Sequence, residues 1–190
     1  MQKTKNLFVR SLHELKNPRC LAVTALFIAL NITLDLLRVR IQLTPDLRIG
    51  IGFVLNASIA MLFGPTVGIM AGFSTDVLGY LVNSGGGAYF PGYTLTAMLG
   101  GLIYGLWLYP RKPGRLRTLG AKTCVNLFCN IGLNTVWASM TGGKALLVLL
   151  PARALKNLIL LPFEVVLLYV VTHLVLKLYE RAGLSAAPEA

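Results

Sequence analysis

IGIGFVLNASIAMLFGPTVGIMAGFSTDVLGYLV, residues 49–82, consists of two apolar segments joined by Gly64-Pro65-Thr66. The joint is too short for anything but a tight turn, so the two segments should run antiparallel as helices. A bilayer core about 30 Å thick needs about 20 largely apolar helical residues. The stretch therefore predicts a helical hairpin inside a membrane.

The composition of the whole chain agrees with this prediction. The 190 residues are 55% hydrophobic and only 13% charged, with a net charge of +11, whereas soluble domains average about 25% charged residues. A basic protein that binds nucleic acid needs a solvated basic face. Here apolar segments as long as a bilayer separate the charges, which excludes nucleic acid as a partner.

Six apolar segments are candidates for crossing the bilayer. They are Cys20–Leu37, Ile49–Phe63, Thr66–Val82, Phe90–Tyr109, Ala121–Met140 and a sixth that begins near Pro151 and reaches about Tyr179. The predicted fold class is an all-α polytopic membrane protein, a bundle of six transmembrane helices. Its predicted organisation is a basic leader at 1–18, a membrane domain at 19–180 and a tail at 181–190.

The distribution of lysine and arginine predicts the orientation. Twelve of these residues fall on the side that holds both termini and six on the other, and positive charge accumulates in cytoplasmic loops. The termini are therefore predicted to be cytoplasmic. Leu7, Phe8, Ser11, Leu12 and Leu15 give the leader the pattern of a helix lying on the inner leaflet; a disordered basic leader is the alternative.

Small residues recur every fourth position on two of the predicted helices. Gly64, Gly68 and Gly72 form one row, and Ala97, Gly101 and Gly105 form the other. Such rows let helix backbones approach closely in lipid. Asp76 continues the first row, and an acid at membrane depth should point into the bundle. It binds a ligand, carries a proton or holds a neighbouring helix through hydrogen bonds, and the last role is favoured.

The fifth segment carries a polar stripe. Asn126, Asn130 and Asn134 are four residues apart, and Trp137 returns to nearly the same face. Amides facing lipid are costly, so the stripe should face protein or a wet cavity. We expect Asn134 and Trp137 to line a ligand pocket and the two deeper asparagines to tie helices together; periodicity alone leaves packing as the alternative for all four.

Six cations lie on the outer side, where the charge bias disfavours them: Arg38, Arg40, Arg48, Lys144, Arg153 and Lys156. They either contact lipid headgroups or receive an anionic ligand. Arg153 and Lys156, three residues apart, share a helix face and can act on one carboxylate. Tyr89, Phe90, Tyr93 and Trp137 lie near them and offer flat surfaces to a ring. Cations beside aromatic rings favour a ligand with a planar heterocycle and a carboxylate tail.

Motifs for several chemistries are absent from the sequence. Gly143-Lys144 lacks the spacing of a Walker A loop, and there is no HExxH motif or nucleophile elbow. Cys20, Cys124 and Cys129 form no CxxC pair, so neither a disulfide framework nor a metal site is expected. We therefore predict a protein that is not an enzyme and that binds no cofactor or metal.

The chain resembles the substrate-binding S components of energy-coupling factor (ECF) vitamin transporters, and most closely their folate-specific members. The resemblance covers about residues 19–179. Its residues are Ala25-Leu26-Phe27-Ile28-Ala29, Phe63-Gly64-Pro65-Thr66-Val67-Gly68, Asp76 with Gly79 and Tyr80, Tyr89 to Leu95, Gly101 to Gly105, Asn134-Thr135-Val136-Trp137, Gly143-Lys144, and Pro151-Ala152-Arg153 with Lys156-Asn157. The Asn-Thr-x-Trp, Gly-Lys and Arg-x-x-Lys-Asn series is the most specific part.

The resemblance implies a six-helix bundle in a bacterial plasma membrane that captures folate from outside with high affinity. Such proteins do not transport alone: they dock on a transmembrane T component through small residues of the first helix, and two cytoplasmic ATPases drive release. Ala22, Ala25 and Ala29 match that docking surface. The first outer loop, residues 38–42, is more polar than is usual for the family. The alternatives are an S component for another vitamin and a small membrane enzyme acting on a lipid.

Overall fold

The computed structural model describes residues 2–37, 40–42, 48–83, 88–109, 113–143 and 145–183. Among these, eight α-helices and one π-helical segment dominate, so the predicted all-α class is confirmed. The helices are α1 (Gln2–Glu14), α2 (Pro18–Leu36), α3 (Gly52–Phe63), α4 (Pro65–Val82), α5 (Pro91–Leu108), α6 (Arg115–Val125), α7 (Asn134–Gly142) and α8 (Leu146–Arg181); the π-helix Asn126–Leu133 joins α6 to α7 without a break.

Two short strands lie where the sequence predicted an outer loop and the start of a helix. Strands β1 (Arg40–Gln42) and β2 (Arg48–Gly50) pair antiparallel, with Ile41 opposite Ile49. The predicted helix start at Ile49 is therefore wrong, and α3 begins at Gly52.

The predicted tight turn after α3 is present and is held in place by α1. Gly64 has φ 91°, a left-handed conformation that favours glycine. The hydroxyl of Ser11 on α1 is buried against this turn: it donates to the carbonyl of Phe63 at 2.7 Å and accepts from the backbone N–H of Thr66 at 3.0 Å. The leader is thus a helix packed on the bundle, and not a disordered segment over the residues described.

The centre of the molecule is the contact between α4 and α5, where the two predicted rows of small residues meet. A methyl group added at Gly68 would lie 2.7 Å from the carbonyl oxygen of Gly101, and one added at Gly72 would overlap the backbone of Ala97. Backbones this close tolerate no side chain between them. Packing was predicted for both rows; the structure adds that they pack on each other.

The fifth predicted helix differs from expectation in two ways. Its middle, Asn126–Leu133, is a π-helix, in which each N–H bonds to the carbonyl five residues earlier, so the regular helix predicted there is wrong. Lys122, one of the twelve cations counted on the cytoplasmic side, is instead buried at 1% exposure within α6. Its partner is Glu164 of α8, with 3.3 Å between Nζ and Oε2.

The last helix begins earlier than predicted. Helix α8 starts at Leu146, five residues before the predicted start at Pro151, and contains both Pro151 and Pro162. Proline lacks the N–H of a helical bond, but membrane helices tolerate it when neighbours satisfy the freed carbonyl groups. By length and composition, α2 and α8 are the two described helices able to cross a membrane, and α3 is a shorter apolar helix.

Candidate functional site

A cavity of about 660 Å³ lies where the last turns of α2 and α4 meet the start of α3 and α5. Its wall includes aromatic rings, carboxylates and amides. Pockets for small organic ligands commonly enclose about 300–1,000 Å³. The cavity is therefore large enough for a vitamin-sized molecule.

Three of the aromatic residues predicted for the site, Tyr89, Phe90 and Tyr93, line this cavity. Tyr89 and Phe90 immediately precede α5 and Tyr93 lies in its first turn, because Pro91 starts the helix directly after Phe90. The ring centroids of Phe90 and Tyr93 are 5.8 Å apart, and Tyr80 of α4 packs on Tyr89 at 5.2 Å. Phe53 of α3 adds a further ring to the wall.

Trp137 adjoins the cavity through Phe90 and is not among the described lining residues. Its ring lies 5.6 Å from that of Phe90, and its indole N–H donates to the hydroxyl of Thr96 at 3.0 Å. This bond ties α7 to α5 and fixes the angle of the indole. Trp137 thus packs against the aromatic wall without itself lining the cavity.

Asn134 and Arg153 meet each other beside this wall. The guanidinium of Arg153 donates to the backbone carbonyl of Asn134 at 3.1 Å, which joins α8 to α7. The side-chain oxygen of Asn134 is buried and has no hydrogen-bond partner among the described residues. Lys156 is half-buried one turn further along α8, and neither cation is among the described residues of the cavity wall.

The remaining predicted cations cannot be placed at the site. Arg38 and Lys144 lie outside the described residues, and of Arg40 only the backbone, in β1, is described. Of the predicted binding residues, three therefore line the cavity and Trp137 adjoins it, whereas Asn134, Arg153 and Lys156 are described away from its wall. The other three lie outside the residues or side chains that the structure describes.

The cavity wall also includes polar residues that were not predicted from the sequence to bind a ligand. Asn31 of α2 donates through its amide nitrogen to the oxygen of Asn56 at 3.2 Å, and Thr75 of α4 donates to the same oxygen at 3.3 Å. Asn56, Asp35 and Asp76 all line the cavity. The only sequence signal for Asn56 was its polarity within a short apolar segment.

Asp76 holds a neighbouring helix, as favoured from the sequence, and also faces the cavity. The hydroxyl of Thr94 on α5 donates to its carboxylate at 2.6 Å, which ties α4 to α5. Asp76 also lines the cavity, so the same side chain is available to a ligand. Since the Thr94 proton goes to Asp76, the hydroxyl of Tyr89 must donate to Thr94.

Of the two deeper asparagines predicted to tie helices together, Asn126 does so, whereas Asn130 bonds within its own helix. Asn126 donates to Glu164 of α8 at 3.0 Å and Asn130 donates to Asn126 at 2.8 Å. With Lys122, they form a buried polar cluster behind the cavity. The ammonium group of Lys122 lies 3.7 Å from the ring centroid of Phe53, and this contact connects the cluster to the cavity wall.

Ala22, Ala25 and Ala29 lie on the exposed side of α2. They are accessible to another protein or to lipid, and do not fill the interior of the bundle. Packing inside the bundle, the simplest alternative to a docking role for these small residues, is therefore not supported.

Comparison with known proteins gives a consistent result. A family model described as "ECF transporter, substrate-specific component" matches residues 19–172. The chain is 38% identical over 147 residues to the "Folate transporter FolT" of Clostridium novyi, which covers 76% of this chain and 84% of that protein. It is 32% identical over 173 residues to the "Folate transporter FolT" of Leuconostoc mesenteroides, covering 85% and 91% of the two chains.

A solved structure is also similar. The crystal structure of FolT bound with folic acid superimposes with a TM-score of 0.70 at 30% identity, covering 80% of this chain and 92% of that chain. The family consists of transporter components and not of enzymes, in agreement with the prediction from the missing catalytic motifs. The family model, the two relatives and the shared fold lead to one conclusion: the chain is a membrane protein that belongs to the substrate-specific components of ECF transporters.

Proposed function

We propose that this chain is the folate-specific S component of an ECF transporter in a bacterial plasma membrane. It captures extracellular folate in the cavity between α2, α3, α4 and α5. It releases the vitamin inward when it is coupled to a T component and two ATPase subunits.

The observation that carries the proposal is the cavity of about 660 Å³ with aromatic and polar walls, in a chain 38% identical to a protein named as a folate transporter. Folate has a planar pterin ring and a tail with two carboxylates. Aromatic side chains offer stacking surfaces for the ring, and Tyr89, Phe90 and Tyr93 are present on the wall. Trp137 completes this set from behind Phe90.

The role of the cations is to bind the carboxylates in the tail of folate. Arg153 and Lys156 are on neighbouring turns of α8, and Asn134 holds the guanidinium of Arg153 in a fixed position through its carbonyl oxygen. An arginine oriented in this way can pair with a carboxylate through two parallel bonds. Lys144, Arg38 and Arg40 are assigned to the same carboxylate end.

Six membrane crossings fit the succession of helices: α2, α3, α4, α5, the continuous run α6–π–α7, and α8. Helix α1 then lies at the cytoplasmic surface. Without the buried Lys122, eleven cations remain on the proposed inner side against six outside, so the charge bias still favours cytoplasmic termini. Helices α4 and α5 carry glycine and polar residues because they face each other in the interior.

The first experiment is calorimetric titration of the purified chain in detergent micelles with folic acid. Tight binding in a one-to-one complex is expected, with no measurable heat from thiamine or riboflavin. Preferential binding of another vitamin would favour the alternative, an S component of different specificity. Recovery of a T component and two ATPases from native membranes with the tagged chain tests the assembly.

The orientation gives a separate prediction. In a background with Cys20, Cys124 and Cys129 replaced by Ala, we expect a cysteine in place of Gly86 to react with a membrane-impermeant maleimide in intact cells. A cysteine in place of Gly114, which is exposed in the structure before α6, should react only after the cells are opened. The reverse labelling pattern would contradict the proposed topology.

A further inference from the structure

The polar wall of the cavity contains a hydrogen-bonding pattern whose direction can be worked out. Asn31 donates from its amide nitrogen to the backbone carbonyl of Gly52 at 3.2 Å. A carbonyl can only accept, so this bond fixes which end of the Asn31 amide is the nitrogen. The same nitrogen faces the side-chain oxygen of Asn56 at 3.2 Å.

The orientation of Asn56 follows from that of Asn31. Its oxygen accepts from Asn31 and also from the hydroxyl of Thr75 at 3.3 Å. Its amino group must therefore point away from these two partners. Because Asn56 lines the cavity, this group is a donor held in place at the cavity wall.

Asp76 adds acceptors to the wall of the same cavity. It follows Thr75, the residue that bonds to Asn56, and lines the same cavity. Thr94 donates one bond to Oδ2, and Tyr89 in turn donates to Thr94, so the carboxylate is held in one orientation. An ionised carboxylate can accept about four hydrogen bonds, so acceptor capacity is left for a ligand with N–H groups.

We propose that Asp76 and Asn56 together recognise the edge of a fused 2-amino-4-oxopyrimidine ring, and so determine the specificity of the site. That edge presents, in order, the 2-amino N–H, the ring N3–H and the 4-oxo oxygen. The two donors meet the carboxylate of Asp76, and the oxygen meets the amino group of Asn56. The inference rests on the proposed function, because the pterin end of folate carries this edge.

The aromatic residues agree with this placement. Phe53 and Tyr80 line the cavity from the same two helices, α3 and α4, that carry Asn56 and Asp76. A ring whose edge is bound by α3 and α4 has its faces available to these side chains. The ring end of the ligand then lies between α3 and α4, and the carboxylate tail extends towards the cations of the outer surface.

The test compares folic acid with its 2-deamino-2-methyl analogue, which lacks one of the two donors, by calorimetric titration. A site built to bond an N–H rejects a ligand without it, so the unaltered chain should prefer folic acid by about tenfold or more, since bonds to charged groups are the strong ones. If the chain binds neither compound, the proposed function itself fails; equal affinity for both compounds would overturn only the recognition by Asp76.

Asp76→Asn isolates the carboxylate, because the amide oxygen can still accept from Thr94. Folic acid should bind about tenfold more weakly, whereas the 2-deamino-2-methyl analogue should lose less than about threefold, since it lacks the donor concerned. Equal losses for the two compounds, or none, would overturn the assignment. The matched control is Glu180→Gln, the same chemical change at the exposed end of α8, for which both affinities should stay unchanged.

Asn56→Asp tests the other half of the pattern and does not depend on the folding of the first variant. It keeps the oxygen that accepts from Asn31 and Thr75 and replaces only the amino group by an acceptor. The ratio of the affinities for folic acid and 4-amino-4-deoxyfolic acid should shift by about tenfold towards the amino compound. An unchanged ratio, with the thermal midpoint preserved, would overturn the role of Asn56.

Discussion

Arg153 is the residue whose removal best separates binding of the carboxylate end from binding of the ring. Its guanidinium is half-buried and anchored on the carbonyl of Asn134. Truncating one partner of a desolvated charge pair costs about 2–5 kcal/mol. Arg153→Ala should therefore weaken folate binding more than tenfold, as measured by calorimetric titration.

The matched control is Lys177→Ala, which removes an exposed cation near the other end of α8. Its affinity for folate should equal that of the unaltered chain. If Arg153→Ala binds folate equally well, the arginine only joins α7 to α8 and does not belong to the binding site.

The buried pair of Lys122 and Glu164 gives a second prediction at the level of single residues. The side chains are 2% and 10% exposed, and removing one partner leaves an uncompensated buried charge, at a cost of about 3–5 kcal/mol. Glu164→Leu should thus lower the thermal midpoint strongly. The double variant Lys122→Met/Glu164→Leu should recover most of the loss, because no charge is left unpaired.

Thermal unfolding of the single variants Glu164→Leu and Lys122→Met and of the double variant, in detergent, checks this expectation. Losses that simply add in the double variant would show that the two charges do not depend on each other. Folate affinity is a useful companion measurement, since Lys122 also contacts the ring of Phe53 on the cavity wall.

At the level of elements, the hydroxyl of Ser11 fastens α1 to the bundle, next to a bond from the hydroxyl of Thr66 to the carbonyl of Phe8 at 3.1 Å. Ser11 accepts hydrogen bonds from the N–H groups of Thr66 and Val67, at 3.0 and 3.2 Å, in the first turn of α4. These N–H groups have no partner within their own helix, and the residue before α4, Gly64, has no side chain to cap them. Ser11 acts as a helix cap supplied by another helix.

Ser11→Ala should therefore destabilise the protein by about 1–3 kcal/mol, the cost of leaving buried polar groups unsatisfied. Amide hydrogen exchange should increase in α1 and in the first turn of α4, and not in α8. The control is Leu12→Ala, an exposed neighbour on α1. Equal exchange in both variants would show that the hydroxyl of Ser11 does not hold α1 in place.

Elements defined by local patterns were predictable, and those that depend on distant partners were not. Gly64-Pro65-Thr66 fixes a turn within three residues, and the rows at Gly68 and Gly101 are visible from their spacing. Lys122 was counted with the cytoplasmic cations because it follows several of them in the chain, and its burial depends on Glu164 of another helix. No spacing rule distinguished the π-helix Asn126–Leu133 from a regular helix.

The candidate site shows the same division. Tyr89, Phe90 and Tyr93 were identified because they are consecutive or nearly so in the chain. The amide of Asn56 was missed because its role arises from Asn31 and Thr75, which come from two other helices. A single sequence carries no signal for such a network.

At the scale of the whole molecule, binding and transport should be separable, because the ligand cavity and the proposed docking face are different surfaces. Ala22, Ala25 and Ala29 form an exposed strip of small side chains on α2, where a partner helix can approach closely. Replacing Ala25 and Ala29 by Trp should hold the T component away through bulk. Uptake of labelled folate by cells with the full transporter should fall close to background.

The same variant, once purified, should bind folate with nearly the affinity of the unaltered chain, because the substituted side chains point away from the cavity wall formed by Asn31 and Asp35 of the same helix. Leu26→Trp is the matched control: it adds a bulky side chain at another exposed position of α2, and uptake should persist if that position faces lipid. Loss of binding together with uptake, with a lowered thermal midpoint, would place the strip against the bundle and contradict its assignment as the docking face.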